Sequence, residues 1–158
     1  MNPLHNGQYT FFLYSLSRQL FLQGETTLCD KIYNLIKIFS SCDLFYQVKM
    51  PDVFFFDHPM GSVMGRAEYS DYFSFSQGCT VGNNKGVYPK FGNHVHMLSN
   101  SKIIGNCNIG DYVIVSANSY LKDIDIPSYS LVFGSSPNIT IKSINLEQYK
   151  QYTGSIFK

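Results

Sequence analysis

The chain reads as mainly β: a three-sided parallel β-solenoid with a short helical cap at its N-terminus. Three observations carry this. Every sixth residue from Phe91 is apolar, through Met97, Ile103, Ile109, Val115 and Leu121. The position four after is small or apolar in most units, at Val95, Ser101, Cys107, Val113 and Ser119, and Gly, Asn, Ser and Asp fill the gaps. Near the N-terminus, over residues 9–39, the apolar residues instead recur at helical spacing. A period of six is neither the 3.6 of a helix nor the two of a hairpin sheet. It suits a coil with three flat sides, one short strand to a side. Stacked coils bury the sixth residues in a continuous column and pair their backbones above and below. Pro127 interrupts the series, and Phe133 resumes it.

Taken in order, residues 1–8 are polar and read as loose. Residues 9–22 predict a first helix, with Phe12, Leu13, Leu16 and Leu20 on one face and Arg18 and Gln19 opposite. Its aromatic side chains (Phe11, Phe12, Tyr14, Phe21) are expected in core or subunit packing, because basic residues are too few for a membrane-surface helix. Gly24 stops it. Residues 26–39 predict a second helix with Leu28, Ile32, Leu35, Ile36 and Phe39 as its stripe and Thr26 or Thr27 as its cap. After Ser40 and Ser41 come short extended units. Met50 and Phe56 are one six-residue step apart, an excursion through HPMG leads to Met64, and the step resumes at Tyr69, Phe75 and Val81. Between Val81 and Phe91 the step is ten residues, and its Gly, Asn and Pro mark a projecting loop. The tail from Pro127 reads as an incomplete coil and a strand, then a short helix capped by Asn145. Helices and tail would cover the open ends of the solenoid. The expected division is a helical cap (1–41), a solenoid domain (42–142) and a C-terminal tail (143–158).

At 158 residues the chain fits one domain with a small accessory element. The formal charge is only +1, with Lys and Arg scattered, which removes the electrostatic footprint of a nucleic-acid binder. Only 15% of residues are charged, so much of the surface needs covering, and oligomerisation is the expected means. Cys29, Cys42, Cys79 and Cys107 lie far apart, with no zinc spacing, and no metal is expected. Read as reduced thiols, they fit a cytoplasmic protein. No signal-peptide pattern opens the sequence, and no apolar run approaches the roughly 20 residues that span a bilayer.

Among four histidines, His5 falls in the loose terminus, and His94 and His96 at non-core positions of a repeat unit, which predicts exposed or interface places. His58 differs. In FFFDHPMG, an apolar run delivers Asp57 and His58 to a turn, and an imidazole beside a carboxylate suits removal of a proton from a hydroxyl. A turn histidine with a purely structural role fits these residues equally well.

Several segments, in order, resemble the hexapeptide acyltransferases, and within them the serine acetyltransferase branch. CDLF (42–45) is similar to the segment opening that branch's first coil. FFFDHPMGSVMG (54–65) resembles its Asp-His-x-x-Gly stretch, FSQGCTVG (75–82) its Gln-x-Val-Thr-Leu-Gly strand, and IIGNCNIGDYVIVSANSYLKDIDIP (103–127) its closing coils. The resemblance implies a left-handed parallel β-helix, assembly as a homotrimer that can pair into a dimer of trimers, and acetyl-CoA as cosubstrate. It implies His58 as general base and Asp43, 15 residues earlier, as its partner beneath the turn. Asp57 would face the acceptor, whose hydroxyl attacks the thioester directly. Coenzyme A would lie between subunits, along Ser99 and Ala117, with Gly82 and Asn83 near the thioester and Lys122 within reach of a phosphate. Lys122 reads as readily as a solvated turn residue.

One departure bears on the acceptor. Where the branch carries Arg-His-Pro, this chain has Val87-Tyr88-Pro89, on a shorter loop. The missing Arg leaves no evident cation for a carboxylate, while Tyr88 suits a sugar ring. The expectation is therefore O-acetylation of a sugar or polysaccharide precursor ahead of serine, with amino-sugar N-acetylation and a non-catalytic trimeric scaffold as alternatives.

Overall fold

A computed structural model describes Asn2, residues 5–154, Ile156 and Phe157. Two helices open it. Helix α1 (Asn6–Leu22) starts earlier than its sequence suggests. His5, assigned above to a loose terminus, is its N-cap and accepts a hydrogen bond from the Gln8 N–H at Nδ1. The buried face is Thr10, Leu13, Tyr14 and Ser17, whereas Phe12 and Leu16 are exposed. The face is turned from the expected one because the Tyr14 hydroxyl donates to the Val48 carbonyl at 2.7 Å and accepts from the Met50 N–H, which anchors that side of α1 on the first coil. In α2 (Thr26–Ser40) neither threonine is the cap. Glu25 holds that position without a side-chain bond. Cys29, Ile32, Ile36 and Ser40 face inward, leaving Leu28, Leu35 and Phe39 exposed.

The strands that follow are short: β1 (Asp43–Leu44), β2 (Phe54–Phe56), β3 (Val63–Met64), β4 (Phe73–Phe75), β5 (Thr80–Gly82), β6 (Lys90–Phe91) and β7 (His96–Met97). Then come β8 (Lys102–Ile104), β9 (Asn108–Ile109), β10 (Val113–Val115), β11 (Tyr120–Lys122), β12 (Ser130–Ser135), β13 (Asn138–Ser143) and helix α3 (Leu146–Thr153). They form three parallel walls. The first is β1-β3-β5-β8-β11, the second β2-β4-β7-β10-β12, and the third the β6-β9 pair. The fold is thus the expected parallel β-solenoid.

The sixth-residue series builds three columns rather than one. Met64, Val81, Ile103 and Leu121 stack along the first wall, Phe56, Phe75, Met97, Val115 and Val132 along the second, and Phe91, Ile109 and Ile126 along the third. Val95, Ser101, Cys107, Val113 and Ser119, each four after a hexad position, are buried too. Phe133 does not resume the series. Ile126 takes the core place one residue early, bridging to Ile109, so Val132 follows inside and Phe133 is 39% exposed. Pro127 lacks the N–H that a strand residue would donate, and the step shortens ahead of it. The long Val81–Phe91 step is a tight projecting hairpin closed by reciprocal 3.0 Å bonds between Asn84 and Val87.

At the C-terminus β13 pairs antiparallel with β12, and α3 carries a capping box between Asn145 and Gln148, as its sequence suggests. Ile144 and Tyr149 then roof the outside of the second wall over Ile114, Leu98, Tyr112 and Leu131. On the same wall, His96 is only 7% exposed, against expectation. It contacts the Ser74 hydroxyl, and burial lowers its pKa to about 4, opposed by Asp57. His94 is half-buried, stacked between Tyr72 and Tyr112 at 4.3 and 4.5 Å. All three sit at left-handed corners of successive coils, about 4.8 Å apart, which lays the rings face to face.

The neutral His96 has a pH consequence. The unfolded chain takes up this proton near the ordinary value of 6.5 and the folded chain near 4. Its contribution to stability is therefore full above pH 6.5 and lost as the pH falls through about 4. The midpoint of thermal unfolding is expected to fall over that interval, and to fall less steeply in His96→Gln.

All four cysteines are free and buried. Burial pushes the thiols up, that of Cys42 to about 12 with Asp43 adding to the effect. Thiolate is the reactive form, so the native protein at pH 8 is expected to leave Ellman's reagent uncoloured, and four thiols to react after denaturation.

Candidate active site

The turn after β2 is held by its ends. Phe56 is locked in the core, and the Asp57 N–H donates to the Phe75 carbonyl at 3.0 Å. His58 lies in the left-handed region at φ 49°, the Met60 N–H donates back to its carbonyl at 2.7 Å, and the Gly61 N–H reaches the Ser41 carbonyl. A non-glycine residue with positive φ is uncommon and worth a look as a functional position. Here it presents the imidazole to the outside. The side chains of His58 and Asp57 are 74% and 63% exposed, with Nε2 3.5 Å from the Asp57 carboxylate. At that exposure the pair contributes little to stability, and both side chains remain available.

Asp43 lies on the neighbouring coil. Its N–H donates to the Ser62 carbonyl at 2.8 Å, and it registers with Val63, at the end of the same turn. Its carboxylate accepts a 2.6 Å bond from the Tyr33 hydroxyl of α2. Burial, and then that bond, push the Tyr33 hydroxyl well above its ordinary value, so it remains a donor. Tyr33 was not apparent as a site residue. Nothing in its helical position marks it, because its partner arrives from the next element.

The other expected residues fall into two groups. Ser99 and Ala117 stand on the edge of the prism that begins at the His58 turn. The Gly78 N–H reaches the Met60 carbonyl there, the Asn100 N–H reaches Gln77, and the Asn118 N–H reaches Ser99. Gly82 and Lys122 are both in register with Ile104 on the far margin of the first wall. Asn83 follows, accepting from the Gly86 N–H at 3.2 Å, and Tyr88 is exposed beyond the hairpin. The width of that wall separates the groups within one chain. Among the described residues, no group of His, Cys, Asp or Glu could hold a metal ion, and no helix is long and apolar enough to cross a membrane.

Beside the turn, a cavity of about 900 Å3 opens between α1 and β2, with Asp57 and His58 in its lining. His5, Phe11, Phe12 and Met60 also line it. These α1 residues were missed because which face of a helix meets a cavity is set by how the helix docks.

A hexapeptide-repeat solenoid with a histidine turn at its edge defines the class: the fold of the hexapeptide acyltransferases. More narrowly, the chain is serine acetyltransferase-like. It is 27% identical over 133 residues to the serine acetyltransferase of Staphylococcus aureus, covering 81% of this chain and 62% of the relative. A solved truncated serine acetyltransferase apoenzyme superposes with a TM-score of 0.76 at 26% identity, covering 87% of this chain and 58% of the other. A serine acetyltransferase complex with CoA does so at 0.71 and 27%, covering 84% and 55%. This chain thus spans about three fifths of the length of the curated relatives it matches. No family model matches it.

Proposed function

We propose that the chain is an acetyl-CoA-dependent O-acetyltransferase with serine as its leading acceptor. The observation that carries this is the Asp57–His58 turn, exposed beside a cavity in a chain similar to serine acetyltransferases, one of them solved with CoA. His58 takes the proton of the acceptor hydroxyl as the oxygen attacks the thioester carbonyl. The carbon–sulfur bond then breaks, and the imidazolium returns the proton to the departing thiolate. Asp43, held by Tyr33, supplies the negative charge near the turn that favours imidazolium. Asp57 faces the acceptor. Coenzyme A lies along Ser99 and Ala117 of one subunit and Gly82, Asn83 and Lys122 of its neighbour, which requires a trimer. Light scattering should then give three times the 18.0 kDa chain mass.

The Val87-Tyr88 segment pointed to a sugar acceptor, but the relatives favour serine. Release of CoA thiol measured with serine and with a panel of nucleotide sugars decides between them. Saturable turnover of serine is expected. Turnover of a nucleotide sugar with none of serine would reverse the order.

A further inference from the structure

The cavity beside His58 is more apolar than a serine site requires. Phe11 and Phe12 of α1, Phe55 of β2 and Met60 of the turn are 42%, 41%, 40% and 53% exposed, and all four converge on it. No lysine or arginine is in its lining among the described residues, so it offers a zwitterion's carboxylate no cation. The polar side chains at the start of α1 are already hydrogen-bonded within the chain. His5 accepts from the Gln8 N–H, Gln8 from the Asn2 N–H, and Asn6 bonds both Thr10 and the Phe39 carbonyl. The volume is that of a small-molecule site, about 300–1,000 Å3, and Asp57 and His58 are in its lining.

We propose that this cavity is an apolar acceptor subsite, receiving the aromatic or alkyl body of an uncharged alcohol whose hydroxyl reaches His58, so that such alcohols are acetylated in addition to serine. The proposal rests on His58 as the general base. The alcohol oxygen forms the new ester bond, the thioester carbon–sulfur bond breaks, and the alcohol's proton passes through His58 to the sulfur of coenzyme A.

The test uses 2-phenylethanol as probe, with binding followed by calorimetry and transfer by CoA thiol release, in the wild type, Phe12→Ala, Met60→Ala and His58→Ala. Phe12 and Met60 are exposed, so their truncation spares the core. The wild type is expected to bind and acetylate the probe saturably, the two truncations to raise its KM about tenfold, and His58→Ala to bind without transfer. Turnover of serine with neither binding nor acetylation of the probe overturns the subsite and leaves the acetyltransferase reading standing. So does probe turnover whose KM neither truncation alters. Binding by the wild type and His58→Ala, with transfer to no acceptor by either, supports the subsite and overturns the acetyltransferase reading.

Discussion

His58→Ala is expected to lower kcat for acetyl transfer on the order of a thousandfold, the middle of the range that a positioned general base contributes. Coenzyme A should still bind, because its contacts are assigned to other residues: Ser99, Ala117, Gly82, Asn83 and Lys122. The side chain is 74% exposed, so its removal leaves no core cavity, and the unfolding midpoint should not move. That separation makes the experiment informative: a variant that is folded, binds coenzyme A and fails to transfer isolates the proton step. Tyr33→Phe tests the support beneath it. The Asp43 carboxylate would lose a 2.6 Å donor yet keep its charge, so a smaller loss in kcat, with KM for acetyl-CoA unchanged, is expected. Transfer undiminished in His58→Ala would remove the base from this turn and overturn the pairing of His58 with Asp43.

Phe73→Ala should be the most destabilising simple truncation in the solenoid, by about 3–5 kcal/mol. Phe73 is fully buried and packs edge-on against Tyr69 and Phe91 at 4.9 and 5.1 Å, which ties the second wall to the third. Neighbouring coils hold its surroundings in register, so the space cannot close by collapse. Phe133→Ala is the matched control. The periodicity counted onward from Leu121 makes Phe133 a core residue and would give it a similar cost. The structure leaves it 39% exposed, and a change within about 0.5 kcal/mol is expected. Denaturation at fixed protein concentration measures both, since any assembly adds to apparent stability by mass action. Equal losses in the two variants would restore the uninterrupted count.

Local patterns carried the reading wherever the physics is local. Six-residue spacing of apolar side chains among Gly, Asn and Asp is enough to set a three-sided coil, because each side buries one residue and each corner needs a turn. Asn145 followed three residues later by Gln148 is enough to start α3. The Asp57-His58-Pro59 segment is enough to mark an exposed turn, and the segments around it are enough to suggest the family.

What the chain order left open depends on partners distant in sequence. His96 alternates outward from its strand and would be solvated, but it is buried against Ser74 of the neighbouring coil and left neutral. Tyr33 has no periodic mark, and only the docking of α2 on β1 brings its hydroxyl to Asp43. Phe11 packs on Phe54 as an aromatic side chain of a docked helix would, but only the docking of α1 puts it and Phe12 in the lining of a cavity beside His58. Residue spacing thus determined the solenoid and its histidine turn, since both follow from neighbours along the chain. Only packing between elements decided what surrounds that histidine, because burial of a side chain depends on which surface arrives to cover it.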